Sequence, residues 1–163
     1  MKIIVPIIPK AQMRARHGRT RGGFSVTFKA QAQREAEAHL IGLLERHRPD
    51  SPFLGAVNLG VRAYLPIPAS WPKKKRKGAA GGQTRPTSKP DLDNLIKNIK
   101  DCLTALNFWQ DDRQVVEYLP GTGKYYDDGN GPRWEIEIKN AQPEEATSDR
   151  ANSQPTEMKG IES

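Results

Sequence analysis

The sequence predicts a single domain of mixed α/β class, because strand patterns and helix patterns alternate along one chain. Its 163 residues suffice for one domain with a sizeable core. We expect this domain to span residues 1–142. A polar, acidic tail over 143–163 contains two prolines and no hydrophobic periodicity, and it is predicted to be disordered.

Five segments have the composition of strands. The clearest is 56–68, where alternate apolar residues predict one buried face. These residues are Val57, Leu59, Val61, Ala63 and Leu65. The other strand-like segments are 2–8, 24–29, 113–119 and 133–139. Because turn residues crowd the connection between the last two, we expect these two segments to form a hairpin.

Two segments have the periodicity of amphipathic helices, 30–48 and 91–107. The apolar face of the second comprises Leu95, Ile99, Cys102, Leu103 and Leu106. We expect Asp93 or Asn94 to cap this helix, because such side chains accept hydrogen bonds from the amides of a first turn.

The predicted domain is strongly basic. Up to residue 142 it carries 24 Lys and Arg against 14 Asp and Glu, whereas the tail carries two bases and five acids. Two predicted loops, 9–23 and 69–90, are rich in cations and contain no acid. Such a surface is typical of proteins that bind polyanions, although it also fits a basic surface kept for solubility.

Composition disfavours several other classes of protein. With Cys102 as the one cysteine there is no internal disulfide, so a reducing cytoplasm is expected, and Cys102 itself is predicted to pack in the core. His17, His39 and His47 are scattered and have no zinc-binding spacing. The apolar stretch at 2–8 is too short for a membrane span or a convincing signal peptide.

Acidic residues cluster at both ends of the second predicted helix. Asp91 and Asp93 precede or open it, and Asp111 and Asp112 follow it. Carboxylate oxygens suit Mg²⁺ or Mn²⁺, and Lys97, one turn after Asp93, would stabilise charge on a phosphate undergoing hydrolysis. The same residues also fit structural roles as a helix cap, as ion pairs and as the opening of a turn.

The run WPKKKRK at 71–77 allows two opposed interpretations. It has the composition of a nuclear-localisation signal, and it also fits a patch that touches nucleic-acid phosphates. The neighbouring Trp71 either stacks on a base or packs against the domain.

The segment KPDLDNLIKNIKDCL followed by WQDDRQVV resembles the RusA-type Holliday-junction resolvases, which are endodeoxyribonucleases of bacteria and their prophages. The shared pattern is PDxDN, a lysine one turn on, and W-x-DD-x-Q-V. The matching residues are Pro90, Asp91, Asp93, Asn94, Lys97, Trp109, Asp111, Asp112, Gln114 and Val115. The resemblance is strong over 66–126 and looser at the PKAQMRAR opening and the RWEIEIK strand.

This resemblance implies a RusA-like mixed sheet with helices packed on it, and a homodimer that places paired Mg²⁺-dependent nicks across four-way DNA. Asp91, Asp93 and Asp112 would bind Mg²⁺, with Mn²⁺ as an alternative, and Lys97 would be the essential cation. The protein would act in the cytoplasm of a bacterial or phage-infected cell. The basic segments would contact DNA instead of a transport receptor. The implied DNA contacts are Lys10, Arg14, Arg16, Trp71, Lys73, Lys74, Lys75, Arg76, Lys77, Lys89 and Lys124.

Three other functions fit the same residues. A non-catalytic protein that binds branched DNA would need no divalent metal. A nuclease for forks or flaps would use the same chemistry on another substrate. A nuclear protein would use residues 73–77 as a transport signal.

Overall fold

The computed structural model describes residues 1–12, 16–19, 22–23, 25–28 and 31–141, with 16–19 and 25–28 described by their backbone. The predicted tail over 143–163 lies outside the described residues, as does Arg14 among the predicted DNA contacts. The strands are β1 (Lys2–Val5), β2 (Arg16–Arg19), β3 (Ser25–Phe28), β4 (Val57–Leu65), β5 (Val115–Tyr118), β6 (Gly123–Tyr126) and β7 (Arg133–Asn140). The helices are α1 (Gln31–Glu45), α2 (Lys73–Ala80) and α3 (Leu92–Ala105), and a 3₁₀ turn covers Asp112–Gln114.

β4 is the central strand of a five-stranded mixed sheet. One edge of β4 pairs antiparallel with β7, and β1 pairs antiparallel with β7 beyond it. The other edge pairs in parallel with β5 through residues 57–59 and then with β6 through residues 62–65. β2 and β3 form a separate antiparallel ribbon. The predicted mixed α/β class and mixed sheet are confirmed.

The alternating residues of β4 lie in the middle of the core, as predicted, and helices α1 and α3 supply much of the rest. α3 buries the apolar face that its periodicity predicted, including Cys102, which is 2% exposed. Burying a leucine or isoleucine side chain contributes about 1.5–3 kcal/mol, which is several times the contribution of a surface ion pair. The apolar contacts of α3 therefore fix where its polar residues lie.

Three predicted connections contain regular structure. The loop predicted over 9–23 contains β2, whose sequence RHGR lacks strand composition. The loop predicted over 69–90 contains α2, which begins directly after Pro72. Apart from Gly78, this helix consists of Lys, Arg and Ala, all strong helix formers. The turn-rich connection over 120–132 contains β6, in which one glycine and one lysine precede two tyrosines. These three elements were not predicted because they are rich in charged residues and glycine and have no apolar stripe.

The prediction that 113–119 and 133–139 form a hairpin is wrong. β5 and β7 pair with opposite edges of β4, so β4 lies between them. Parallel strands need a crossover connection, and α2 and α3 lie in the chain between β4 and β5. Turn composition indicates that the chain reverses, but it does not determine which strand becomes the neighbour.

A charged network secures the start of β7. The Arg133 guanidinium, 9% exposed, donates to both carboxylate oxygens of Asp128 at 2.9 and 3.0 Å and to Glu135 at 2.8 Å. It also lies 3.7 Å from the centre of the Tyr64 ring. The hydrogen bonds from Arg133 lower the pKa of Asp128 from its usual 3.8 to about 2.

Replacing Asp128 with asparagine is expected to lower stability at neutral pH. Because the pKa of this carboxyl is lowered in the folded protein, its contribution is present above the usual value and is lost as the pH falls toward about 2. We expect the Tm of Asp128→Asn to lie about 3 °C below that of the parent protein at neutral pH. Scanning calorimetry should show the gap closing between about pH 4 and about pH 2. A gap that stays constant across this interval would contradict the pairing.

Candidate active site

The start of α3 presents two carboxylates. Asp91 occupies the N-cap position with an extended backbone (φ −73°, ψ 142°), and Asp93 lies in the first turn. The prediction that Asp93 or Asn94 caps the helix is wrong, because the helix begins at Leu92, directly after Asp91. Among the described residues, the Asp91 side chain makes no capping hydrogen bond. The helix therefore does not use either carboxylate as its cap.

Contacts in the turn before β5 distinguish Asp111 from Asp112. Asp111 accepts hydrogen bonds from the amide and the guanidinium of Arg113 at 2.8 to 3.0 Å, which lowers the pKa of Asp111 to about 2. Gln114 accepts from the Asp111 amide at 3.2 Å and donates to two backbone carbonyls of segment 53–55 at 3.0 and 2.8 Å. Asp111 thus stabilises the turn, and Asp112 begins the 3₁₀ turn.

Trp109 anchors the same turn in the core. Its side chain has no exposed surface, and its indole nitrogen donates to the Thr104 hydroxyl at 2.7 Å. In the W-x-DD-x-Q pattern, Trp109 therefore packs in the core, Asp111 caps the turn, and Gln114 binds the backbone of segment 53–55.

One cleft of about 740 Å³ brings together three of the four residues predicted to carry the chemistry, Asp93, Lys97 and Asp112. Asp91 lies two residues before Asp93, at the helix cap. The exposed Tyr118 also lines the cleft. The other lining residues are Leu92, Ile96, Lys100, Leu119, Gly121 and Thr122.

Lys100 is a cleft residue that the sequence analysis did not single out. Its Nζ lies 3.2 Å from Oδ2 of Asp112, and the two side chains are 19% and 43% exposed. Lys100 follows Asp93 by seven residues, or two helical turns, so the spacing contained a signal for it. A phosphate that entered the cleft would compete with Asp112 for this ammonium group.

Lys97 is oriented by its own helix. Its Nζ lies 3.3 Å from both carboxylate oxygens of Asp101, and Asp101 also accepts a hydrogen bond from Gln12 at 2.6 Å. Asn98 donates to the Lys10 carbonyl at 2.9 Å, so the N-terminal segment lies along α3. Lys97 thus forms an ion pair with Asp101 and lines the same cleft as Asp93.

The donor set of the cleft has the chemical type that Mg²⁺ prefers, since this ion commonly binds one or two carboxylates, waters and substrate phosphates. In the part of the chain that the structure describes, no three His, Cys, Asp or Glu side chains lie close enough together to hold a metal ion. Asp112 is instead paired with Lys100. Metal binding by Asp91, Asp93 and Asp112 together requires these side chains to converge, and it stays a prediction.

All five cations of the 73–77 run belong to α2 and are exposed. Lys73, Arg76 and Lys77 share one face of the helix and line a groove of about 340 Å³ together with Asp127. Lys75 lies on a different face, with its Nζ 3.7 Å from the centre of the Trp71 ring.

Trp71 packs against the domain, which was one of its two predicted roles. Its ring meets that of Tyr126 edge-on, at 5.2 Å between ring centres. Base stacking by Trp71 stays a prediction.

The remaining predicted DNA contacts are dispersed. Lys10 and Lys89 are exposed. Arg16 is described as a backbone position of β2. The ammonium of Lys124 donates to the backbone carbonyls of Ser88 and Pro90. DNA binding by each of these residues stays a prediction.

A cleft lined by carboxylates and lysines, together with an exposed basic helix, is typical of proteins that act on nucleic acid. The sequence matches the family described as Endodeoxyribonuclease RusA over residues 6–139, and the chain belongs to this family. The resemblance inferred from the PDxDN and W-x-DD-x-Q-V motifs is therefore confirmed.

Two relatives illustrate the family match. A Bacillus subtilis (strain 168) protein called "Uncharacterized protein YqaN" is 37% identical over 134 residues, which cover 80% of this chain and 89% of that protein. The "Crossover junction endodeoxyribonuclease rusA" of Lactococcus phage r1t is 57% identical over 30 residues, which cover 18% of this chain and 23% of the phage protein. Across the described residues, no helix is long and apolar enough to cross a membrane.

Proposed function

We propose that this protein is a structure-specific endodeoxyribonuclease that resolves four-way DNA junctions by paired, Mg²⁺-dependent nicks. The observation that carries the proposal is that Asp93, Lys97 and Asp112 line one cleft, in a chain of an endodeoxyribonuclease family. The name of the phage relative supports four-way DNA as the substrate. Such an activity would serve DNA recombination and repair.

The proposed metal ligands are Asp91, Asp93 and Asp112, with Mn²⁺ as a substitute for Mg²⁺. When bound, such an ion supplies positive charge beside a phosphoryl oxygen and lowers the pKa of a coordinated water. The chain's own part is to present carboxylates from α3 and from the turn before β5 in one place.

In the proposed hydrolysis, a water oxygen forms a bond to phosphorus and the P–O3′ bond breaks, which leaves a 5′-phosphate and a 3′-hydroxyl. Lys97 offsets the negative charge that builds on the phosphoryl oxygens. Asp101, 3.3 Å from the Lys97 ammonium, holds that cation in orientation. Lys100 offers a second cation once phosphate replaces Asp112 as its partner.

The exposed cations of α2 would bind phosphates and so contribute affinity that does not depend on sequence. Paired cuts require two active sites, so we propose that the protein acts as a homodimer. The proposed location is the cytoplasm of a bacterial or phage-infected cell.

The ion pair between Lys100 and Asp112 favours one second candidate, a protein that binds branched DNA without cutting it. In such a protein Lys100 would remain paired with Asp112, and DNA affinity would not depend on Mg²⁺. A nuclease for forks or flaps is distinguished from a junction resolvase by competition among defined DNA structures.

Cleavage of a synthetic four-way junction, compared with matched linear duplex, tests the proposed activity. We expect paired nicks confined to the junction in Mg²⁺ and none in EDTA. Asp93→Asn and Asp112→Asn are each expected to lower the cleavage rate by about 10²–10³-fold, the loss typical of removing one electrostatic stabiliser. Asp50→Asn, which changes an exposed acid that does not line the cleft, is the matched control. Tight binding without nicks in any metal would favour the binding protein instead.

The groove face of α2 provides a test of DNA contact that is separate from chemistry. Replacing Lys73, Arg76 and Lys77 with glutamine is expected to weaken junction binding for all sequences alike. If each cation neutralises one phosphate, the slope of log K against log salt concentration should fall by about 3. Fluorescence anisotropy over a series of KCl concentrations measures this slope.

A charge-matched control removes three cations from elsewhere on the surface, Lys2, Arg34 and Lys139. Lys2 and Lys139 both pair with Glu137. We expect this variant to keep the parental slope to within about one unit. Equal losses in the two triple variants would show that net charge, and not the groove face of α2, governs binding.

A further inference from the structure

Lys124 in β6 directs its side chain onto the backbone that leads into α3. Its Nζ donates to the carbonyl oxygens of Ser88 at 2.8 Å and of Pro90 at 2.9 Å. Pro90 directly precedes Asp91, so these bonds hold the backbone on both sides of Lys89. Two of the three N–H groups of the ammonium are used in this way.

The strand that carries Lys124 is itself held firmly. In the pairing of β6 with β4, Lys124 lies opposite Ala63 and Tyr125 lies opposite Tyr64, and the two tyrosine rings stack at 5.3 Å. Arg85 donates from Nε to the Lys124 carbonyl at 2.7 Å, and its guanidinium lies 3.7 Å from the centre of the Tyr125 ring. Lys124 therefore reaches the start of α3 from a fixed position in the sheet.

Asp91 depends on this contact because its own helix gives its side chain little support. It is exposed, and within the described residues it makes no hydrogen bond that caps α3. The backbone at residues 90–91 therefore sets where the Cβ of Asp91 lies, and with it the positions that the carboxylate can reach. By donating to the Pro90 carbonyl, Lys124 restrains this part of the backbone.

We propose that Lys124 is a positioning residue for Asp91, and that its ammonium secures the Ser88–Pro90 segment from which α3 starts. The proposal rests on the proposed function, since Asp91 matters there as a metal ligand. This role differs from direct DNA contact by Lys124. If Lys124 turned to a phosphate, the two carbonyls would lose a charged hydrogen-bond donor.

Lys124→Met tests the proposal, because it removes the ammonium and keeps a long apolar side chain. Hydrogen–deuterium exchange should be faster over residues 88–95. Junction affinity in EDTA should stay within about twofold of the parent, because no phosphate contact is lost. The single-turnover cleavage rate should fall by about 10–100-fold, the range that follows loss of a group that orients a metal ligand.

Two further variants separate positioning from charge. Lys139→Met removes the same charge from an exposed lysine that pairs with Glu137, and it should leave all three measurements unchanged. Gly123→Ala changes no charge, but its Cβ would lie 2.8 Å from Nη2 of Arg85, so Arg85 must shift. We expect Gly123→Ala to speed exchange over the same segment while junction affinity in EDTA is retained.

Three outcomes decide the proposal. If Lys124→Met weakens junction binding by about tenfold or more while exchange is unchanged, Lys124 is a phosphate contact and the positioning role is wrong. Unchanged exchange together with unchanged cleavage would also overturn it. Faster exchange in this variant, in a parent protein that does not cleave junctions, would support the positioning role and count against the nuclease.

Discussion

The parallel pairing of β5 with β4 is the constraint on which the site depends. Parallel neighbours need a crossover, and α3 lies within the one that this chain uses, with its apolar face in the same core as the buried residues of β4. Once that face is fixed, Asp93, Lys97 and Lys100 line the cleft. The turn that opens β5 then places Asp112 3.2 Å from Lys100. The cleft is therefore a consequence of how the sheet is connected.

Apolar burial holds this arrangement, and the ion pairs in the cleft are weak enough to exchange. Buried aliphatic side chains contribute about 1.5–3 kcal/mol each. By contrast, the paired side chains of Lys100 and Asp112 are 19% and 43% exposed, and ion pairs open to solvent contribute about 0–1 kcal/mol. Phosphate or metal can therefore displace the partners of Lys100 and Asp112 without unfolding the helix that carries Lys100. Adjacent faces of α3 thus carry stability and chemistry, and Ile96 belongs to both.

Some of this structure could be predicted from sequence and some could not, for physical reasons. β4 and α3 were predictable because a buried face requires apolar residues at a period of two or 3.6. α2 was not predicted because five consecutive cations have no apolar stripe, although they favour a helix. Asp111 and Asp112 are identical neighbours, and it is the contacts of Arg113 and Gln114 that distinguish them. The spacing of Lys100 was visible, but its pairing with Asp112 depends on tertiary structure.

The measurement that tests the central claim most directly is anomalous diffraction from crystals of the protein soaked in manganese. The claim is that carboxylates from α3 and from the turn before β5 bind one divalent cation. It predicts a manganese peak in the cleft, coordinated by Asp91, Asp93 and Asp112, with Asp112 no longer paired with Lys100. The peak should disappear in Asp112→Asn. A cleft without manganese in which Asp112 remains paired with Lys100 would contradict the account.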